Sequence, residues 1–98
     1  TRKFNQPLNN WDVSNVTNMF GMFYQAKAFN QPLNEWDVSK VTDMCVMFRE
    51  SAFNQSLKSW DVSSVTNMIN MFYRAKAFTN QNLSTWDVGN VPSDKHPD

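Results

Sequence analysis

One cysteine, one histidine and no excess of either charge put several kinds of protein out of reach of this 98-residue chain. With Cys45 alone, no internal disulfide can form. His96 stands almost at the end of the chain. No Ser–His or Cys–His pair for nucleophilic catalysis can therefore be built in its body. Nine basic residues balance nine acidic ones. A nucleic-acid binder needs a basic face that displaces counterions, and an electrostatic membrane anchor needs a basic cluster. No apolar run approaches the ~20 residues of a membrane-spanning helix. A calcium site needs about six or more converging oxygen ligands, and no loop spaces its carboxylates that way. The expectation is a non-enzyme with no cofactor, no metal, no nucleic acid and no membrane insertion by this segment.

What the chain has instead is repetition. "WDVSNVTNMF" at Trp11 returns as "WDVSKVTDMC" at Trp36, as "WDVSSVTNMI" at Trp60 and, degraded, as "WDVGNVPSDK" at Trp86. The tryptophans are 25, 24 and 26 residues apart, and the chain has no others. The methionines fall into the columns Met19, Met44, Met68 and Met22, Met47, Met71. Phenylalanines fill two more, Phe4, Phe29, Phe53, Phe78 and Phe23, Phe48, Phe72. Leu8, Leu33, Leu57 and Leu83 form another, and a valine pair follows every tryptophan. Large apolar residues that keep their columns are the mark of stacked units, each burying the same positions against its neighbours. A single unit has too little apolar surface to offset its own ordering, so the copies must stack. The whole chain, 1–98, reads as one repeat domain, with repeats at 4–28, 29–52 and 53–77, a partial copy at 78–91 and a tail at 92–98.

Local texture suggests the shape of one unit. "W-D-V-S" alternates apolar and polar, as a short strand does. Met19, Met22, Phe23 and Ala26 sit at the spacing of one helix face, and Thr17 is placed as its N-cap. Met68, Met71, Phe72 and Ala75 repeat that spacing. "FNQP" reads as a turn. The tryptophan, methionine and Cys45 positions read as core rather than as a carbohydrate platform or a metal box. The asparagines Asn5, Asn30, Asn54 and Asn80 read as a ladder that satisfies loop backbone groups.

The stretch "FNQPLNNWDVSNVTNMFGMF", recurring in register from Phe4 to Val91, resembles the BspA-like bacterial surface protein repeat, a relative of the leucine-rich repeat. The resemblance implies an α/β solenoid: a leucine-rich-repeat-like right-handed coil with short parallel strands on one face and short helices on the other. It also implies a cell-surface or extracellular setting and adhesion-type protein binding. It supplies no catalytic residue, because the motif consists of structural positions.

On such a coil the partner-binding face would carry Asn10, Asp12 and Ser14 from the first repeat, then Glu35, Asp37 and Ser39. Ser59, Asp61 and Ser63 follow from the third, and Thr85 and Asp87 from the partial copy. Two readings of the aspartate column stay open. The carboxylates form a stripe for a cation or a basic partner, or each caps its own turn by accepting a bond from two residues on. The protein partner is unidentified. The alternative function is a purely structural element that self-associates or docks into a larger assembly through the ends of the stack. "TRKFNQPL" opens inside a repeat, which suggests a cut N-terminus, and Pro92 stands where the repeat threonine would be, which suggests a stop.

Overall fold

The computed structural model describes residues 2–79 and 81–97. Each repeat begins with two tight turns. The Trp11, Trp36, Trp60 and Trp86 amides donate to the carbonyls of Leu8, Leu33, Leu57 and Leu83 at 3.0–3.1 Å. The second valine of each pair then donates to the first, Val16 to Val13 and its equivalents, at 2.9–3.0 Å. Between these turns the aspartate after the tryptophan accepts from the residue two positions on, as Asp37 Oδ1 does from the Ser39 amide at 3.0 Å. The "W-D-V-S" stretch is therefore curled, and its alternation does not produce a strand.

The second half of each repeat carries the contacts between repeats. The amides of Met19, Gly21, Phe23 and Gln25 donate to the carbonyls of Asp43, Cys45, Met47 and Arg49 at 2.8–3.0 Å. One layer on, Met44, Val46, Phe48 and Glu50 donate to Asn67, Ile69, Met71 and Tyr73 at 2.8–2.9 Å. The intervening amides close tight turns within the repeat, Met22 to Met19, Tyr24 to Gly21 and Ala26 to Phe23, at 3.0–3.2 Å. In a β-strand a residue's N–H and C=O address the same neighbour. Here every second peptide group points along the stack with its N–H toward the later repeat and its C=O toward the earlier one. Left-handed backbone at Gly21, Val46 and Asn70, and again at Gln25, Glu50 and Arg74, makes this alternation possible.

The expected α/β solenoid is therefore not what the chain forms. Among the described residues the only helical element is a 3-10 turn, Ser93–Lys95. Extended pairing among the described residues is confined to two isolated parallel bridges, Asn18 with Asp43 and Asp43 with Asn67. The physical reason lies one residue past the threonine. Asn18, Asp43 and Asn67 turn their side-chain oxygens onto the amides two residues on, Phe20, Cys45 and Ile69, at 2.8–3.0 Å. That bond competes with helix continuation at its first turn. Thr17 does not cap a helix. The repeat threonines instead bond one another along the stack, Thr42 N to the Thr17 carbonyl and Thr66 N to that of Thr42, both at 2.8 Å.

The core is a set of stacked columns. The Phe23, Phe48 and Phe72 rings lie at 5.4 and 5.6 Å centroid separation, nearly parallel. Phe4, Phe29, Phe53 and Phe78 stack at 5.9–6.2 Å, and Trp36 stacks on Trp60 at 6.5 Å. Each buried indole N–H reaches back one repeat. Trp36 donates to the Leu8 carbonyl, Trp60 to that of Leu33 and Trp86 to that of Leu57, at 2.8–2.9 Å. The asparagine ladder is present: Asn5 Oδ1 accepts from the Asn30 amide and Asn30 Oδ1 from that of Asn54, at 2.9 and 2.7 Å. Thr79 takes the next place at 3.3 Å, and Asn80 lies outside the described residues.

The two ends of the stack differ. At the far end, residues 78–79 and 81–91 cover the first half of the third repeat, and the tail covers the start of its second half. There the Lys95 carbonyl accepts from the Met68 amide at 2.9 Å, and His96 Nε2 lies 2.9 Å from the Val91 carbonyl. Pro92 has no N–H with which to extend the threonine ladder. At the near end nothing among the described residues covers the first repeat.

Candidate functional site

Two surfaces are candidates, the polar column foreseen from the sequence and the outer face of the first repeat. The column residues do lie outward. Asn10, Asp12, Glu35, Asp37, Ser59, Asp61, Thr85 and Asp87 are exposed, and Ser14, Ser39 and Ser63 are half-buried. Most of their polar groups are engaged within the chain. Asp12, Asp37 and Asp61 each accept from both the amide and the hydroxyl of the serine two positions on, at 3.0 and 2.6 Å. Asp87 accepts from the Gly89 amide at 2.9 Å. The Ser59 and Thr85 hydroxyls donate to the carbonyls of Asn34 and Lys58 at 3.0 and 3.4 Å.

The serine hydroxyl and then the serine amide hold the carboxyls of Asp12, Asp37 and Asp61 below the ordinary value of 3.8. The aspartates thus behave as turn caps, and their neighbours in the column oppose the shift at Asp37 and Asp61. Among the described residues no three His, Cys, Asp or Glu side chains gather as metal ligands would. No helix there is long and apolar enough to cross a membrane. Cys45 is half-buried, and desolvation pushes its thiol pKa up. An open groove of about 630 Å³ reaches into the column, where Ser59 and Thr85 line it together with Pro32, Asn34, Gln55, Ser56 and Lys58.

The outer face of the first repeat is different in kind. The large apolar side chains exposed among the described residues are Phe4, Trp11, Phe20, Met22 and Tyr24, all from this one repeat. Trp11 is 55% exposed, whereas Trp36 and Trp60 are at 3%. Met22 is 40% exposed, whereas Met47 and Met71 are fully buried. A shallow cleft of about 250 Å³ opens between Phe4, Trp11, Met22 and Tyr24, floored by Phe23 and Phe29. The expectation that Trp11 and Met22 belong to the core fails here: in later repeats these two columns are buried against the preceding layer, while Leu8, Val13, Met19, Phe23 and Ala26 are buried in the first repeat without one.

The same face has an unpaired backbone edge. The carbonyls of Asn18, Phe20, Met22 and Tyr24 correspond to those that accept from the preceding repeat elsewhere, and they accept from nothing among the described residues. Sequence columns could flag the apolar positions of a bare end. They could not reveal this edge, because it depends on the one-way orientation of the peptide groups.

A stack of short repeats, partly covered at its far end and apolar on the outer face of its first repeat, with no metal-ligand cluster among the described residues, defines a repeat protein whose surface of interest is an end face. Residues 1–96 match the family described as "Mycoplasma protein of unknown function, DUF285", and the chain belongs to that family. No curated protein and no solved structure matches it.

Proposed function

We propose that this chain is a non-enzymatic protein–protein interaction module that binds through the outer face of its first repeat. The observation that carries this reading is the exposure of Phe4, Trp11, Phe20, Met22 and Tyr24 in a single repeat, with all but Phe20 lining one cleft. Patches of this kind, where single scattered apolar residues would need no explanation, mark interaction sites. The polar column is a weaker candidate, because its carboxylates already have partners in their own turns. The resemblance of the repeat to BspA-like surface repeats supports an adhesion-type role on a surface or in a secreted protein.

A photo-cross-linking residue placed at position 20 and, separately, at position 61 tests the reading in the full chain. Adducts from position 20 and none from position 61 are expected. Adducts from position 61 alone would return the site to the polar column. A purely structural docking role would use the same end face, but would give an adduct with one constant neighbouring component alone.

A further inference from the structure

We propose that a notch in the second repeat, between Lys27 and Lys76, binds one tetrahedral oxyanion, a phosphate or sulfate group. The notch lies inside the stack, with a repeat on either side, and does not depend on the end-face reading above.

Its origin is a difference in length. The first repeat has "MFYQAKAF" and the third "MFYRAKAF", eight residues each, whereas the second has only seven, "MFRESAF". The lysine of "AKA" has no counterpart there. Lys27 and Lys76 therefore flank a place where the middle repeat is short. An open groove of about 410 Å³ occupies it, lined by both lysines and Arg74, by Glu50 and Ser51, and by alanines. The backbone shows the same gap. The Ala52 amide donates to the Ala26 carbonyl at 3.1 Å, but one layer on the Ala77 amide and the Ser51 carbonyl have no backbone partner among the described residues.

The charges at the groove do not cancel. Glu50 is the one acid that lines it. Its carboxylate is already engaged: Oε1 accepts from Gln25 Nε2, and Oε2 lies against Arg49 Nε, both at 3.3 Å. Among the described residues Lys27, Arg74 and Lys76 make no ion pair. Arg74 is held over the Tyr73 ring, 5.2 Å from its centroid.

Ser51 adds a donor that is not on the surface. It is the buried polar residue of the described chain, at 6% exposure. Its oxygen accepts from the Phe53 amide at 3.4 Å, while its own proton goes to no acceptor among the described residues. A buried donor left unspent is costly. A tetrahedral oxyanion offers acceptors on several sides at once. It can take the Ser51 hydroxyl together with the cations around it, and charge-assisted bonds of this kind are the strong ones. Exposed lysines alone would attract any anion weakly and release it to salt.

The test follows backbone amide shifts of the full chain by NMR during titration with inorganic sulfate and inorganic phosphate. Sodium chloride at matched ionic strength is the reference. Saturable shifts at Ser51, Ala52 and Ala77, absent with chloride, are expected. Monosulfated glucose separates the sources. Tighter binding than sulfate assigns the site to an esterified sugar, and equal or weaker binding assigns it to the free ion. K27A/K76A should weaken binding about tenfold or more, and E50Q should tighten it.

The sharpest variant has one lysine inserted between Ser51 and Ala52, which restores the eight-residue turn. It gains a positive charge, yet it should lose saturable binding because the notch is filled. Unchanged amide shifts at Trp36 and Trp60 check that it keeps the fold; if it does not, K27A/K76A decides. Undiminished binding by K27A/K76A or by a folded insertion variant would overturn the proposal. Shifts that chloride reproduces, or saturation centred on Lys58 in the other groove, would also overturn it. None of these results bears on cross-links from position 20.

Discussion

Trp11 and Trp36 stand in the same motif and make the same turn, yet one is 55% exposed and the other 3%. The difference is not in their own repeats. Trp36 lies under the first repeat, whose Leu8 carbonyl takes its indole N–H; Trp11 lies under nothing described. Burial of the tryptophan and second methionine columns is therefore a property of the layer before, and identical residues have different energetic weight in successive repeats. The same holds for the backbone. The Cys45 carbonyl is satisfied by Gly21, while its counterpart at Phe20 accepts from nothing among the described residues.

The largest expected effects come from substitutions that separate these layers. Phe48→Ala removes a fully buried ring that stacks on Phe23, Phe53 and Phe72. Phe-to-Ala changes in cores cost about 3–5 kcal/mol, and urea unfolding should show a loss of that size. Trp36→Ala should fall in the same range, whereas Trp11→Ala should stay within about 0.5 kcal/mol, as surface changes do. Equal losses at positions 11 and 36 would break the comparison outright.

Next comes the bond that stops the helix. Asp43→Ala deprives the half-buried Cys45 amide of its acceptor. A loss of about 1–2 kcal/mol is expected by thermal melting, less than that for Asn18→Ala, where the Phe20 amide is at the exposed end and water can replace the side chain.

A smaller effect, of opposite sign, is expected at Val46. Its φ of +49° is unusual for a β-branched residue, while the same place holds Gly21 and Asn70 in the neighbouring repeats. Asparagine tolerates this backbone better. Val46→Asn should therefore stabilise the fold by roughly 0.5 kcal/mol, net of the packing it gives up. Destabilisation would mean that Val46 packing outweighs backbone strain.

The smallest effect is a pH dependence that ignores the burial gradient. The folded carboxyls of Asp12, Asp37 and Asp61 lie below their ordinary value of 3.8. Their contribution is present in full above that value and is lost as pH falls through the folded values. Replacing Asp37 and Asp61 by Asn should flatten the acid limb of a stability–pH curve. Asp12→Asn should flatten it by a similar increment, although its repeat is the exposed one.

The repeat columns were legible because stacked units bury the same positions, and Phe29, Leu33, Met44, Phe53 and Met68 are core as their columns indicate. The architecture was not. Met19, Met22, Phe23 and Ala26 have helical spacing, but a succession of tight turns also brings Met19, Phe23 and Ala26 inward, and Met22 faces the layer before. The contrary signal was the Asn18, Asp43, Asn67 column, polar residues suited to turning the chain at the place where a helix would begin. The "W-D-V-S" stretch misled in the reverse sense, since its serine serves the aspartate rather than a strand face. The binding column was visible as exposed positions, and its internal bonds were visible only as one of two readings. The open carbonyl edge has no counterpart in residue identity, because it is made of backbone.

The most direct test of this account is residue-resolved amide exchange by NMR on the full chain. The one-way stack predicts protection at Gly21, Phe23 and Gln25 and at Val46, Phe48 and Glu50, all of which donate to the next repeat, and fast exchange at Asn70, Phe72 and Arg74, where the receiving layer is missing. Continuous protection from Met68 to Ala75, matching that in the first two repeats, would contradict it and restore the helix.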